Sequence, residues 1–349
     1  MARIGRPRNA ACRCALTSGY DDDKIPAVLA ILGITFPFFA LIAGGYACIA
    51  LRVLPHTAVA ALNRFVLYVA LPCMLFKFSA GLDLATLSRQ PFLPLYGLVG
   101  LTLFGVLLLW GRLRHISWRD LSFVSLVAVF PNTGFIGVPL LVSMMGPRAA
   151  TPAIAIVMFD LVVTTSLSVA TSTLEGHNWS SARHALAGAF KGVLSNPMLW
   201  AILAGIVMAV VHLQPGHLWL APIWSMADAT TPVALFTMGG ILARARFHDA
   251  PARGNQVLVP FLVAKLVAHP AMIWAGVWLL GRVGWPLEAW MQHTLILMAA
   301  LPGASNVSFL AERMGADAAW VARVILWTTV AAFATFALWG WWVARTIPL

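Results

Sequence analysis

The stretch VFPNTGFIGVPLL, Val129 to Leu141, sets two prolines, two glycines and an Asn-Thr pair inside a run otherwise apolar enough to cross a bilayer. A proline in a helix interior removes a hydrogen bond and clashes with the carbonyl four residues back. The run therefore reads either as a poor span or as a helix interrupted for a purpose. Its surroundings decide which.

The chain has 349 residues, 60% of them hydrophobic and only 10% charged, with a mean hydropathy of +0.85. Soluble domains carry about 25% charged residues. Apolar runs of about 20 residues, enough to cross roughly 30 Å of hydrocarbon, recur along nearly the whole length, and no polar stretch is long enough to fold alone. The composition specifies an all-α integral membrane protein with one membrane domain, residues 25–349. The formal charge of +11 does not mark a nucleic-acid partner, because the basic residues sit in short loops without interleaved aromatics. Of the four cysteines, Cys12 and Cys14 lie near the start with no further metal ligands at suitable spacing, and Cys48 and Cys73 lie in apolar runs. No disulfide framework and no metal or other cofactor is expected. The opening MARIGRPRNAACRCALTSGYDDDK, residues 1–24, mixes arginines with an acidic run and has no apolar core, so it reads as a disordered or artefactual tail.

Apolar runs divided by polar punctuation give ten spans, at about 25–51, 57–80, 91–111, 121–145, 151–173, 192–213, 228–243, 256–281, 291–311 and 318–344. The seventh is short, and Asp228 at its start reads as an N-cap. Loops after odd-numbered spans hold most of the cations, among them Arg112, Arg114, Arg119, Arg244 and Arg246, so these loops are expected in the cytoplasm and both termini outside. The basic tail argues the other way, but the loops agree with one another along the chain. Trp219, Trp224, Trp285, Trp290, Trp339, Trp341 and Trp342 fit interfacial belts.

The polar loop 174–191 separates two sets of five spans, repeat one at 25–173 and repeat two at 192–345. Five is odd, so a shared fold makes the sets inverted repeats. PNTGFIGVPLLVSMMGPRAA in span four answers PGASNVSFLAERMGADAA in span nine, and LPCMLF around Pro72 answers TPVALF around Pro232. Broken helices at equivalent places in spans four and nine explain the opening stretch. Unwound backbone at bilayer depth is tolerated where it is buried in protein or lines a watery cavity, and half-helices restarting there aim partly positive N-termini at the midplane. That suits an anionic group such as a carboxylate. The candidate substrate-binding residues are Pro131, Asn132, Thr133, Gly134, Pro302, Gly303, Ser305 and Asn306: amides and hydroxyls to donate hydrogen bonds, and glycines to let backbone approach the ligand.

PNTGFIGVPLL, the LPGASN segment of span nine, LPCMLF in span two and SNPMLWAILAGI opening span six together resemble the auxin efflux carrier family of bacterial transporters, which includes malonate permeases and is related to the plant PIN carriers. The resemblance covers about residues 25–345. It implies ten helices in two inverted five-helix repeats with helices four and nine crossing near mid-membrane, elevator-type alternating access of a crossover domain against a scaffold, and a homodimer through that scaffold. It maps the crossover prolines onto Pro131 and Pro302 and the polar site residue onto Asn132. The second crossover has Gly303 where the first has Asn132, so its polar contribution is absent or displaced to Ser305 and Asn306.

Ionisable residues at membrane depth are functional candidates by default. Lys77, near the end of span two, either snorkels to the outer interface or attracts substrate. Lys265 and His269 stand one helical turn apart on span eight, and Asp160 is the central carboxylate of the first half, a structural partner for Lys265 or, with His269, a candidate for proton handling. The enzyme class has no support: none of the nine histidines is followed by Glu, and no GxSxG elbow occurs. No GxxxxGK[ST] stretch is present to hold ATP. The sequence thus reads as a multi-pass secondary carrier of the cell inner membrane for a small organic anion, a carboxylate such as malonate or malate. Its expected partners are the lipid bilayer and, as coupling ion, H⁺ or Na⁺. An anion channel, or an exporter of an auxin-like or other amphipathic weak acid, is the alternative.

Overall fold

A computed structural model describes residues 27–82, 90–174, 187–188, 192, 194–211, 217–246 and 255–347; the expected tail 1–24 and most of the loop 174–191 lie outside them. Among the described residues the elements are helical, apart from one isolated two-residue bridge. In chain order they are α1 (Ala27–Ala50), α2 (His56–Ser79), α3 (Phe92–Leu113), α4 (Trp118–Val129), α5 (Thr133–Met145) and α6 (Pro147–Ser172). There follow α7 (Pro197–Val210), α8 (His217–Arg246), α9 (Val257–Arg282), α10 (Ala289–Ala299), α11 (Val307–Arg313) and α12 (Ala318–Thr346). Six of these, α2, α3, α6, α8, α9 and α12, are long and apolar enough to cross a membrane, and the protein is a multi-pass membrane protein.

One expected boundary is corrected. The seventh span, expected as 228–243, is a helix of 30 residues that runs through Pro222, Trp224 and Asp228. Asp228 is therefore mid-helix and caps nothing; its carboxylate pairs with the ammonium of Lys77 on α2, beneath the Trp224 ring. Lys77 neither snorkels alone nor offers a free charge.

Proline is absorbed by widened turns. Single π-helical turns at Val66–Ala70, Thr133–Gly137 and Ala264–Ala268 immediately precede Pro72, Pro139 and Pro270. The wider turn relieves the clash of the ring with the carbonyl four residues back. At Pro270 that carbonyl belongs to Leu266, and it accepts the indole N–H of Trp339 on α12 at 2.9 Å, which satisfies a group that lipid could not.

The helices pack in two sets. In one, α1 lies along α8 and α7 along α2, with α2 against α8. These approaches are backbone on backbone: a methyl on Gly45 would stand 1.9 Å from the Phe236 carbonyl oxygen, and one on Gly205 would stand 2.7 Å from that of Phe76. Small residues let helices approach this closely where water supplies no hydrophobic drive. The other set, α3–α6 with α9–α12, encloses α4, α5 and α10, which are nearly wholly buried. Gln90 Nε2 donates to Glu288 Oε1 at 2.9 Å, joining the loops after spans two and eight. The amide of Asp317 donates to Asp120 Oδ1 at 2.8 Å, joining the start of α12 to the first turn of α4.

Candidate functional site

α4 stops at Val129 and the chain turns helical again at Thr133; α10 stops at Ala299 and α11 starts at Val307. The two gaps meet. Pro131 and Gly303 form an antiparallel bridge in which the Asn132 amide donates to the Pro302 carbonyl at 2.8 Å and the Ala304 amide to the Phe130 carbonyl at 3.0 Å. The Gly303 amide donates to the Thr328 hydroxyl at 3.3 Å. Each break thus supplies partners for the other's stranded backbone groups.

Beside the bridge lies a small pocket of about 30 Å³. Pro131, Asn132, Thr133, Gly134 and Asn306 line it; Pro302, Gly303 and Ser305 do not. At Gly303 a methyl would lie 2.3 Å from Val127 Cγ1 and 2.8 Å from the Val127 carbonyl, so the missing side chain lets the two segments cross. Ser305 is buried behind the pocket, its carbonyl accepting from Ser308 at 3.0 Å. Gly134 could carry a methyl, which would sit 3.5 Å from Leu71, an ordinary contact.

The facing wall comes from residues not named as site candidates from the sequence. Leu67, Leu71 and Leu75 follow one stripe of α2, with Met198 from α7 and Val157 and Leu161 from α6. A leucine stripe at helical spacing has no signature that separates a pocket wall from a lipid-facing side. Among these described lining residues none carries a charged side chain. The polar edge is made of neutral groups: the Asn132 and Asn306 amides and the first-turn N–H groups of Gly134 and Phe135, which have no helical carbonyl behind them, with the Thr133 hydroxyl turned to the Pro131 carbonyl. The dipole of α5 aims at this edge. α11, with seven residues, is barely two turns long and adds less than the sequence suggested.

A second polar group lies deeper in the same set of helices. Tyr96 of α3 donates to Asp160 Oδ2 at 2.8 Å and Thr164 donates to Asp160 Oδ1 at 3.0 Å. Lys265 Nζ lies 3.3 Å from His269 Nδ1, as their one-turn spacing requires, and the Tyr96 and His269 rings stand 6.0 Å apart. All five side chains are buried, and Lys265 and Asp160 attract each other electrostatically. Asp160 is held mainly by Tyr96 and Thr164, neither of which the sequence marked.

Two interrupted helices paired beside a pocket, in a multi-pass membrane protein, suit the class of membrane transport proteins. The chain matches the model of the family described as "Membrane transport protein" over residues 30–186 and 183–340, and it belongs to that family, the auxin efflux carriers it resembles. It is 28% identical over 306 residues to a protein of Rhizobium meliloti (strain 1021) named "Putative malonate transporter", an alignment covering 87% of this chain and 93% of the relative. It is 25% identical over 297 residues to an "Uncharacterized transporter" of Methanothermobacter thermautotrophicus (strain Delta H), covering 85% of this chain and 93% of that one.

Proposed function

We propose that this protein is a secondary carrier of small carboxylates in the plasma membrane, working by an elevator-type movement. The observation that carries the reading is the antiparallel pairing of the two breaks beside a pocket edged with neutral hydrogen-bond donors and the N-terminus of α5. Such an edge stabilises one carboxylate without a fixed cation, which would hold the anion too tightly to release.

Inverted repeats are supported, within α1, α2, α7 and α8, by a shared offset, while the crossover prolines Pro131 and Pro302 are 171 positions apart. Gly45 with Phe236 and Gly205 with Phe76 are the same contact made twice, each partner displaced by 160 positions, as are Pro72 and Pro232. Thr230 donates to the Ala70 carbonyl at 2.8 Å. These two residues also differ by 160 positions, as expected for a contact on the axis relating the halves. In this reading α1, α2, α7 and α8 are the scaffold and dimer surface, and the remaining helices move. The cation-rich loops favour a cytoplasmic Arg112–Arg119 side and external termini. Asp160, Lys265 and His269 are the proposed route for proton coupling, with sodium the alternative coupling ion.

The name of the R. meliloti relative favours malonate. The apolar wall of Leu67, Leu71, Leu75 and Met198 favours the second reading, an amphipathic weak acid whose body lies on the leucines. A thermal-shift panel of mono- and dicarboxylates at two pH values, with and without sodium, decides between them, because a ligand that binds the folded state raises its stability. Asn132→Ala should erase the shift while the protein still accumulates and folds. A shift of unchanged size would take Asn132 out of the site.

A further inference from the structure

Met238 lies in α8, fully buried, and its sulfur accepts a hydrogen bond from Asn132 Nδ2 at 3.2 Å. This bond crosses from the broken helix to the other set of helices. A thioether accepts hydrogen bonds and never donates them, so Met238 distinguishes the two ends of the amide: the nitrogen is held toward α8 and the oxygen is turned away.

We propose that Met238 is the positioning residue of the anion site, holding the Asn132 amide so that its second N–H faces the pocket. The proposal rests on the reading of Asn132 as a substrate ligand. The backbone of Asn132 is already fixed, its amide bonded to the Pro302 carbonyl at 2.8 Å and its carbonyl accepting from Ile136 at 3.1 Å and Gly137 at 3.0 Å. What is left free is the side chain, whose amide can present either nitrogen or oxygen to the pocket. An oxygen facing the pocket would repel a carboxylate; a nitrogen facing it donates. Neighbouring side chains do not take over this choice: the Thr237 hydroxyl donates to the Val233 carbonyl at 2.7 Å, and Gly239 is pressed against the backbone of α1. The Thr133 hydroxyl turns to the Pro131 carbonyl at 3.4 Å. Sulfur is a weak acceptor on a flexible side chain, so it orients the amide without competing with a carboxylate for it.

The test uses the full chain purified in detergent, titrated with sodium malonate and with sodium hexanoate and read by thermal shift. Met238→Leu keeps the volume but removes the acceptor and should weaken binding about fivefold, the worth of one neutral hydrogen bond. Met238→Gln, equally long and carrying an acceptor oxygen, should return affinity to within about twofold of the natural chain. A purely structural role predicts the reverse order, because leucine suits an apolar core and glutamine does not. In the Asn132→Ala background, Met238→Leu should change nothing further. Binding by Met238→Leu equal to that of the natural chain, or by Met238→Gln no better than by Met238→Leu, would overturn the proposal while leaving the site reading intact. Retained binding in Asn132→Ala, or no shift with either salt on the natural chain, would remove the site reading and this inference with it.

Discussion

A buried ammonium is tolerated only while an opposite charge and hydrogen bonds compensate it, and Lys265 has Asp160 and His269 for that purpose. Asp160→Ala removes the carboxylate that attracts Lys265 and the acceptor of Tyr96 and Thr164, and should destabilise the protein, read as a lowered unfolding midpoint in detergent. Asp160→Ala with Lys265→Met removes both charges and should recover most of that loss. If the cluster carries coupling, the double variant in liposomes takes up substrate at a rate indifferent to an imposed pH gradient; retained acceleration by the gradient would exclude these residues from coupling. At this scale the sequence is informative only locally. Lys265 and His269 announce each other by their spacing, whereas Tyr96 reaches Asp160 across 64 positions and Lys77 reaches Asp228 across 151, distances over which no periodicity speaks. Reading Asp228 as a cap followed from starting its helix in the wrong place.

Helix breaks were legible because Pro131, Gly303 and their polar neighbours contradict the apolar runs around them, and backbone physics gives such a contradiction few solutions. The length of α8 was not legible: Pro222, Ser225 and Asp228 lower the hydropathy of a segment that packing on α1 and α2 nonetheless keeps helical. Glycine shows why residue type alone leaves the role open. Gly134 and Gly303 were read alike, yet a methyl fits beside Leu71 at the first and collides with the crossing segment at the second. Gly134→Ala should therefore leave the unfolding temperature within about 2 °C of the natural chain, as for a substitution near neutral in stability, while its methyl narrows the pocket and weakens anion binding. Gly303→Ala forces a methyl against Val127 and should cost about 1–3 kcal/mol, the usual penalty for overpacking, with binding lost because the bridge is displaced. Equal unfolding temperatures for the two variants would contradict the crossing geometry.

For the whole molecule, composition alone was enough to place the chain in a membrane. The division into two packed sets is different: it depends on which apolar faces meet, and in lipid every face is apolar. The contacts across that division must slide if one set moves past the other. Phe39 of α1 and Phe333 of α12 meet edge to face across it, ring centres 4.9 Å apart, and neither lines the pocket. Cysteines at both positions, with Cys12, Cys14, Cys48 and Cys73 replaced by serine, can be joined by a short bifunctional thiol reagent. Because the join fixes the two sets without entering the site, ligand-induced thermal shift should survive while uptake into liposomes stops, and the unjoined double variant should transport. A joined protein that transports at an undiminished rate would mean that the sets do not move against each other, and the same pocket would then have to conduct as a channel, with uptake that fails to saturate.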